Sequence, residues 1–224
     1  EISAGQDLTL HGTQVGAADG GDVSLTAGNR LEFLAGIDTH TADGNSLGGG
    51  GRASVKGSRS DTANSKSGSA GAQFSLADVN ERSTVQRSGS LDSSGRVRLQ
   101  AGSVRLQGVQ GQARAFELAA TQGQLLLESA LTHEQRNNRS IAGGLGLSGS
   151  RGSDAASNGA GLFARAKGGV DTLNSQTHTN TRLQADRIQL DSRGDTRLLG
   201  AVVTAHDVSG TVGGDLIVQS RQDQ

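Results

Sequence analysis

The chain has 224 residues, of which 33% are hydrophobic, 4 are Phe and none is Trp, Tyr, Met, Cys or Pro. This composition excludes a large aromatic core, a disulfide framework and thiolate metal sites. The 21 Lys and Arg against 22 Asp and Glu leave a formal net charge of −1, so the basic excess typical of nucleic-acid binding is absent and we expect no nucleic-acid partner.

Residues 1–40 predict short β-strands. Hydrophobic and polar residues alternate in "DLTL", "GDVSL" and "RLEFL", which gives each strand one apolar face. Gly28 and Asn29 are typical corner residues between two such strands. The sequence shows no signal peptide, and its apolar runs are too short to cross a membrane, so we expect no membrane-spanning segment.

Residues 41–90 form a polar segment rich in Gly and Ser, with too few large hydrophobic residues for a core of its own. We expect an inserted β-arm or loop. Two strands of about 15 residues would extend about 50 Å. Because an isolated hairpin is marginally stable, we expect order only where the arm lies on the neighbouring strands or on its twin.

Residues 91–133 return to short strands in "GRVRLQAGSVRLQG" and "FELAATQGQLLLESA". Residues 134–180 form a second polar arm, related to the first because "AGLFARA" resembles "GAQFSLA". Residues 181–224 contain further strands in "RIQLDSRGDTRLLG" and "GDLIVQS". Because the sequence starts and stops within strand-like text, we interpret it as a fragment of a much longer protein.

An internal repeat of about 95 residues relates these segments. The aligned positions are Gly5, Gly102 and Gly194, then Leu10, Leu106 and Leu198, then Gly12, Gly108 and Gly200. An antiparallel sandwich would place hairpin turns between its strands, whereas a parallel β-helix stacks equivalent apolar positions. The pairs Asp19-Gly20 and Asp43-Gly44 lie outside the closely spaced strands. We therefore predict an all-β fold: a continuous right-handed parallel β-helix with two long polar insertions.

The apolar faces of these strands are expected to stack into one structural core. The predicted core residues are Leu8, Leu10, Val23, Leu25, Leu31, Phe33, Val97, Leu99, Val104, Leu106, Phe116, Leu118, Leu125, Leu127, Ile188, Leu190, Leu198, Leu216 and Val218.

Four arginines alternate with apolar residues and are therefore expected on the outer surface: Arg96, Arg98, Arg105 and Arg114. Two interpretations apply. The arginines either form a solvated surface that pairs with acidic residues, or they form a strip that binds sulfated or acidic glycans. The balanced net charge favours the first interpretation.

Motifs for catalysis or metal binding are weak. The "GLGLSG" sequence at Gly144–Gly149 matches G-x-G-x-x-G, but no helix pattern follows it, so we interpret it as part of a flexible insert. The 5 His residues lack ligand spacing: His11, His40, His133, His178 and His206. Several Asp residues precede strands at corners, where Asx turns account for them: Asp7, Asp22, Asp191, Asp195 and Asp215. We predict no catalytic residue, no cofactor and no metal site.

The phrases "QDLTLHG" and "GDVSLTAGNRL", and a Gly/Ser-rich insert that returns through "ERSTVQRSGSL", resemble the haemagglutinin repeats of large bacterial two-partner-secretion exoproteins. These are the filamentous haemagglutinins and the contact-dependent growth inhibition proteins. The resemblance implies a right-handed β-helical shaft that is secreted through an outer-membrane two-partner-secretion transporter and displayed on the bacterial cell surface.

Two functions remain open at this stage. The segment either extends a filament that presents or delivers a C-terminal toxin to neighbouring bacteria, or forms the shaft of an adhesin that binds host surfaces or glycans. A β-helical polysaccharide-degrading enzyme is a remote third interpretation. The active sites of such enzymes need clustered carboxylates, whereas the Asp residues here are assigned to separate corners. Expected partners are the transporter and the target-cell or host surface. Open strand edges also predict end-to-end association of the isolated fragment.

Overall fold

The structure is a computed structural model that describes residues 1–59, 64–153 and 158–223. These residues form nineteen β-strands and no helix, and among them no helix is long and apolar enough to cross a membrane. The all-β prediction is therefore confirmed. The strands are β1 (Ile2–Ala4), β2 (Asp7–His11), β3 (Gln14–Ala17), β4 (Val23–Ala27), β5 (Arg30–Leu34), β6 (Gly36–Arg59), β7 (Asn64–Arg87), β8 (Gly89–Ser93), β9 (Arg96–Ala101), β10 (Ser103–Gln107), β11 (Val109–Gln112), β12 (Ala115–Ala120), β13 (Leu125–Glu128), β14 (Ala130–Gly152), β15 (Gly159–Thr179), β16 (Thr181–Ser192), β17 (Thr196–Leu199), β18 (Ala201–Val212) and β19 (Leu216–Gln219).

The strands form three sheets. A six-stranded sheet has the order β19-β17-β13-β10-β5-β2, and a nine-stranded sheet has the order β1-β4-β9-β12-β16-β11-β8-β3, with β18 paired to β16. The described strand pairings in these two sheets are parallel. Parallel pairing excludes the antiparallel sandwich as an alternative, because a sandwich of that kind is built from hairpins.

The nine-stranded sheet has two branches that meet at β16. The first half of β16 pairs with β11, where Arg182 lies opposite Gln110, and the second half pairs with β12, where Ile188 lies opposite Phe116. Successive strands along the chain belong to the β12 branch, then to the six-stranded sheet, then to the β11 branch, and this order repeats. One such set of three strands is called a layer below. The layers comprise residues 2–17, 23–93, 96–112, 115–185, 187–205 and 207–219. This order is consistent with a β-helix.

One hydrophobic cluster lies between the stacked strands. Burial alternates along each strand, as in β4, where Val23 and Leu25 are buried and Ser24 is less so, because successive side chains of a strand point to opposite faces. Parallel register then stacks equivalent positions, and Leu31 lies opposite Leu8 on one side and Val104 on the other. Each fully buried Leu stabilises the fold by about 1.5–3 kcal/mol.

The structure places most of the predicted core residues in this cluster. Those that are buried are Val23, Leu25, Leu31, Phe33, Val97, Leu99, Val104, Leu106, Phe116, Leu118, Leu125, Leu127, Ile188 and Leu190. Leu8, Leu10 and Leu198 are partly buried and pack against it. The prediction was wrong for Leu216 and Val218, which are 60% and 69% exposed. Both lie on β19, which pairs only with β17 in the described residues, so one side of the strand is uncovered.

Glycine turns one corner of the layers wherever no arm is inserted there. The aligned residues Gly12, Gly108 and Gly200 have φ angles of 54°, 62° and 66°. Each directly follows a strand of the six-stranded sheet. Left-handed backbone is strained for residues that carry a Cβ, so this corner requires glycine. The two arms leave the layers at the same corner, after β5 and after β13.

The repeat of about 95 residues corresponds to two layers and one arm. Leu10 and Leu106 both lie opposite Phe33, on its two sides. Leu106 and Leu198 likewise both lie opposite Leu127. The aligned leucines are therefore two layers apart, and the intervening layer carries the insertion.

The chain separates into two compact units. The first contains Glu1–His40, Ser83–Glu134 and Ser175–Gln224, and the second contains Thr41–Arg82 and Gln135–Asn174. The arms predicted at 41–90 and 134–180 thus include residues that the structure assigns to the first unit. They also include residues 60–63 and 154–157, which lie outside the described residues.

The residues of the second unit belong to a four-stranded sheet in the order β15-β14-β7-β6, called the arm sheet below. The Ser54 and Ser69 hydroxyls are 2.8 Å apart and those of Ser58 and Ser65 are 2.7 Å apart, so β6 and β7 are antiparallel. The two arms pair with each other through β7 and β14. Their strands contain 21 to 24 residues, longer than the expected length of about 15, because each strand continues into the first unit.

Candidate interaction surfaces

The predicted arginine strip is divided between two sheets. Arg96 and Arg98 lie on β9, where their Nε atoms approach the Glu117 carboxylate to 3.1 Å and 3.6 Å. Arg105 lies on β10 in the other sheet, and Arg114 lies at a corner between β11 and β12. The four residues therefore do not form one free cationic strip, and glycan binding by them stays a prediction.

Arg105 is part of an ion-pair network on the outside of the six-stranded sheet. Its Nε donates a 2.8 Å hydrogen bond to the Glu128 carboxylate, and its guanidinium lies 3.7 Å from Glu32. Glu128 is only 8% exposed, and Arg221 approaches its second oxygen to 3.8 Å. Glu128 is thus a nearly buried carboxylate that faces two guanidinium groups, and removing them would leave its charge uncompensated. Arg105 therefore pairs with carboxylates of the two neighbouring layers, although its own side chain is 38% exposed.

Two of the aspartates predicted at corners, Asp22 before β4 and Asp191 near the end of β16, hold the backbone of a neighbouring layer. Asp22 accepts a 2.7 Å hydrogen bond from the backbone N–H of Arg96. Asp191 does the same for Thr211 at 2.9 Å. The partners are 74 and 20 residues away along the chain, so these bonds link layers, whereas the sequence suggested local Asx turns.

Asp195 shows the same arrangement in the outer layers. Its carboxylate accepts the backbone N–H of Asp215 at 3.0 Å and a hydrogen bond from Arg197 at 2.9 Å. The backbone donor and then the guanidinium hold the pKa of Asp195 below its ordinary value. A carboxylate held this way is poorly suited as a general acid, because it stays ionised.

The remaining sequence motifs are spread over the fold. Residues 144–149 lie inside β14 and therefore do not form a loop that leads into a helix. Gly146 is buried there, and a Cβ added to it would lie 2.2 Å from the Phe163 ring, so close packing requires this glycine. His178 lies 3.6 Å from the Asp223 carboxylate. In the described part of the chain, no three His, Asp or Glu residues are grouped to hold a metal ion.

Thr181 closes the corner at which the second arm returns, a role that the sequence did not reveal. The residue is fully buried. Its hydroxyl donates to the Glu128 carbonyl at 2.6 Å and accepts from the Val109 N–H at 3.3 Å. The hydroxyl therefore replaces backbone bonds that the insertion interrupts. The signal available in the sequence was a single Thr before an alternating strand, which is too common to single out.

One face of the arm sheet is apolar. Val55, Ala70, Leu147 and Leu162 lie on its four strands and line one shallow depression of about 630 Å³. Because alternate residues of a strand share a face, the residues that accompany them are every second one from Leu47 to Gly57, Gly68 to Leu76, Ile141 to Gly149 and Ala160 to Val170. All of these are Gly, Ala, Val, Leu, Ile or Phe.

This apolar arm face is exposed to solvent, as Leu162 is 85% exposed and Val55 is 84% exposed. Sequence analysis missed the face because it counted large hydrophobic residues over whole segments. Gly and Ala fill most of the alternate positions and lower that count. The available signal was the two-residue period, in which small apolar residues alternate with Ser and charged residues.

The opposite face of the arm sheet is polar. Paired serines lie along β6 and β7, and the Arg165 guanidinium lies 5.8 Å from the centre of the Phe163 ring. Cations also bound the apolar face at one end, where Lys66 and Arg151 occupy the next positions after Gly68 and Gly149. The sheet is therefore amphipathic, with an apolar block that ends in positive charge.

Comparison with known families supplies the identification. The family described as "Hemagglutinin repeat" matches residues 1–103 and 70–224, which together cover the chain. The chain belongs to the haemagglutinin-repeat family. The resemblance drawn from the repeated phrases is thereby confirmed.

Relatives of this haemagglutinin-repeat segment include two proteins named "Hemolysin". The one from Serratia marcescens is 37% identical over 245 aligned positions, which cover 100% of the chain and 15% of the relative. The one from Proteus mirabilis is 28% identical over 232 positions, which cover 100% of the chain and 14% of the relative. The segment thus spans about one seventh of these relatives. No solved structure matches it.

Proposed function

We propose that this chain is a non-enzymatic structural segment of a secreted bacterial surface exoprotein. In this proposal the layers form a right-handed parallel β-helical shaft, and an outer-membrane two-partner-secretion transporter exports it. The shaft extends from the cell and presents or delivers a C-terminal toxin to neighbouring bacteria.

The observation that carries the proposal is the fixed rotation of the chain through three stacks of parallel strands. Such an arrangement gains length by adding layers, and each layer contacts only its neighbours. Crossover connections between parallel strands are right-handed in nearly all proteins, which supports the handedness. The buried residues serve stacking, and the polar corner residues bond to the next layer. These features support a structural role, in which the segment adds length to the exoprotein and presents an outer surface.

The main alternative is the shaft of a filamentous haemagglutinin-type adhesin that binds host surfaces or glycans. The family match supports both roles equally. The names of the two relatives support a further variant, in which the whole exoprotein lyses host cells and this segment is part of its length. A β-helical enzyme receives little support, because the corner carboxylates are separated and bonded to backbone.

The test is an in-frame deletion of this segment from the full-length protein in its own bacterium. We expect surface export to continue, while inhibition of neighbouring bacteria falls strongly. Adhesion to host cells and lysis of erythrocytes are measured in parallel, and a selective loss of either would favour the corresponding alternative. The single-residue variant Arg182→Gln, which changes an exposed side chain, is the control.

Unchanged activity toward every target cell after the deletion would contradict the structural role. Turnover of an acidic polysaccharide by the purified segment would contradict the non-enzymatic assignment, provided that replacing Asp22 or Asp195 abolishes it.

A further inference from the structure

The residues of the apolar arm face are not part of the hydrophobic cluster between the layers. The face covers five or six alternate positions on each of four neighbouring strands and lies in the second unit. Leu47, Val55 and Leu162 are each at least 80% exposed on it. A contiguous exposed apolar surface of this extent marks an interaction site.

The charges of the arm sheet select the kind of partner. At one end of the apolar arm face, its two-residue period continues into Arg59, Lys66 and Arg151, and at the other end it continues into Asp43, Asp78 and Arg139. The other cations of these strands, Arg52, Lys56, Arg165 and Lys167, lie on the polar face. A partner for this surface must therefore accept apolar side chains and supply negative charge close to them.

We propose that the apolar arm face is a docking surface for an anionic lipid bilayer. Leu, Val and Ile side chains of the face enter the boundary between headgroups and acyl chains, and Arg59, Lys66 and Arg151 at its basic end contact anionic headgroups. A second copy of the arm sheet fits less well. Stacking two such faces with their basic ends together would bring Lys66 and Arg151 of each copy near like charges, while Asp43 and Asp78 lie at the opposite end of the face.

This proposal does not depend on whether the shaft serves toxin delivery, adhesion or lysis. It goes beyond that role because it assigns lipid as the partner of the arms. Lipid binding by the purified chain and activity of the full-length protein are measured separately, so either proposal can fail while the other holds.

The test is co-flotation of the purified chain with vesicles. One set contains phosphatidylglycerol and phosphatidylcholine, and the other contains phosphatidylcholine alone. We expect binding to the anionic vesicles to be about tenfold stronger and to weaken at high salt, because screening reduces the headgroup attraction.

Two pairs of variants locate the surface. The variant Leu147→Asn/Leu162→Asn should reduce binding about tenfold. The matched control Val208→Asn/Leu216→Asn alters apolar residues of the first unit that are 57% and 60% exposed, and it should change binding less than about twofold. Lys66→Gln/Arg151→Gln should weaken binding to anionic vesicles more than Arg182→Gln/Arg187→Gln does. Circular dichroism verifies that each variant is folded.

Several results would overturn the proposal. These are no flotation of the wild-type chain with anionic vesicles, equal flotation with both vesicle types, or an equal loss in the Leu147/Leu162 variant and its control. Sedimentation velocity without lipid tests the alternative that a second copy of the chain occupies the face. A dimer that dissociates in the Leu147/Leu162 variant would assign the face to a second copy and reject lipid.

Discussion

Truncation of one stacked apolar position in three different layers tests how the core is organised. The sequence repeat aligns Leu106 with Leu198, and the strand register places Val218 at the next equivalent position. Sequence alone predicts similar costs for all three. The structure predicts a gradient, because Leu106 is fully buried, Leu198 is partly buried and Val218 is 69% exposed.

The magnitudes follow from burial. Leu106 lies between Phe33 and Leu127 in the neighbouring layers, so Leu106→Ala leaves a cavity with packed walls and should cost about 3 kcal/mol of unfolding free energy. Leu198→Ala should cost about half of that, roughly 1.5 kcal/mol. Val218→Ala deletes atoms that are mostly in water already and should cost no more than about 0.5 kcal/mol.

The assay is urea unfolding followed by circular dichroism of the β-sheet signal. An unchanged dependence of the unfolding free energy on urea concentration shows that the variants unfold as one cooperative unit, so the midpoints can be compared. Equal destabilisation by Leu106→Ala and Val218→Ala would refute the stacking order. A cost below about 1 kcal/mol for Leu106→Ala would refute its place in a packed core.

Three further changes probe the corners. Gly108→Ala should cost about 2 kcal/mol, because the residue has a φ of 62° and a Cβ there would lie 2.6 Å from that of Ala130; urea unfolding measures it. Thr181→Val should cost about 1–3 kcal/mol in the same assay, because the Val109 N–H loses its hydroxyl acceptor and the Glu128 carbonyl keeps only the bond from the Gly108 N–H. The pKa of Asp195 is lowered in the folded state, so its stabilisation is present above about pH 4 and is lost as the pH falls through the folded pKa. The Tm advantage of wild type over Asp195→Asn should therefore shrink on acidification.

Each of these changes has a matched control. Gly123→Ala places a Cβ at 3.4 Å from its nearest neighbour and should be nearly neutral. Thr181→Ser keeps the hydroxyl and should lose much less stability than Thr181→Val. Arg197→Gln removes one cause of the lowered Asp195 pKa. The Tm of this variant should therefore fall less on acidification than the Tm of wild type, as expected also for Asp195→Asn. A Tm difference between wild type and Asp195→Asn that grows on acidification would contradict the assigned sign.

Positions within the repeat could be predicted because alternation and glycine corners are local. Val23, Leu25 and Phe33 are apolar in a two-residue period, and a strand with that period must bury one face. Gly108 aligns with Gly12 because both turn the same corner with the same backbone conformation. These features depend on neighbours in sequence, so inspection of the sequence finds them.

Contacts between layers could not be predicted, because the partners are far apart in sequence. Asp22 bonds to Arg96 across an entire arm, and Thr181 bonds to Glu128 across the other. Pairing of Arg105 with Glu128 likewise depends on which layers become neighbours. Nothing at either position alone distinguishes these residues from ordinary solvated ones.

The sequence by itself determined that the chain is all-β, that it repeats, and that its family is that of the haemagglutinin repeats. Composition, the two-residue alternation and the recurring motifs can be read from the sequence without knowing how the strands pack. Only the tertiary structure decided which strands become neighbours, as β10 does between β5 and β13. It also decided that the two arms share one sheet, because strand pairing joins residues such as Ala72 and Leu145 whose separation along the chain hides their common face.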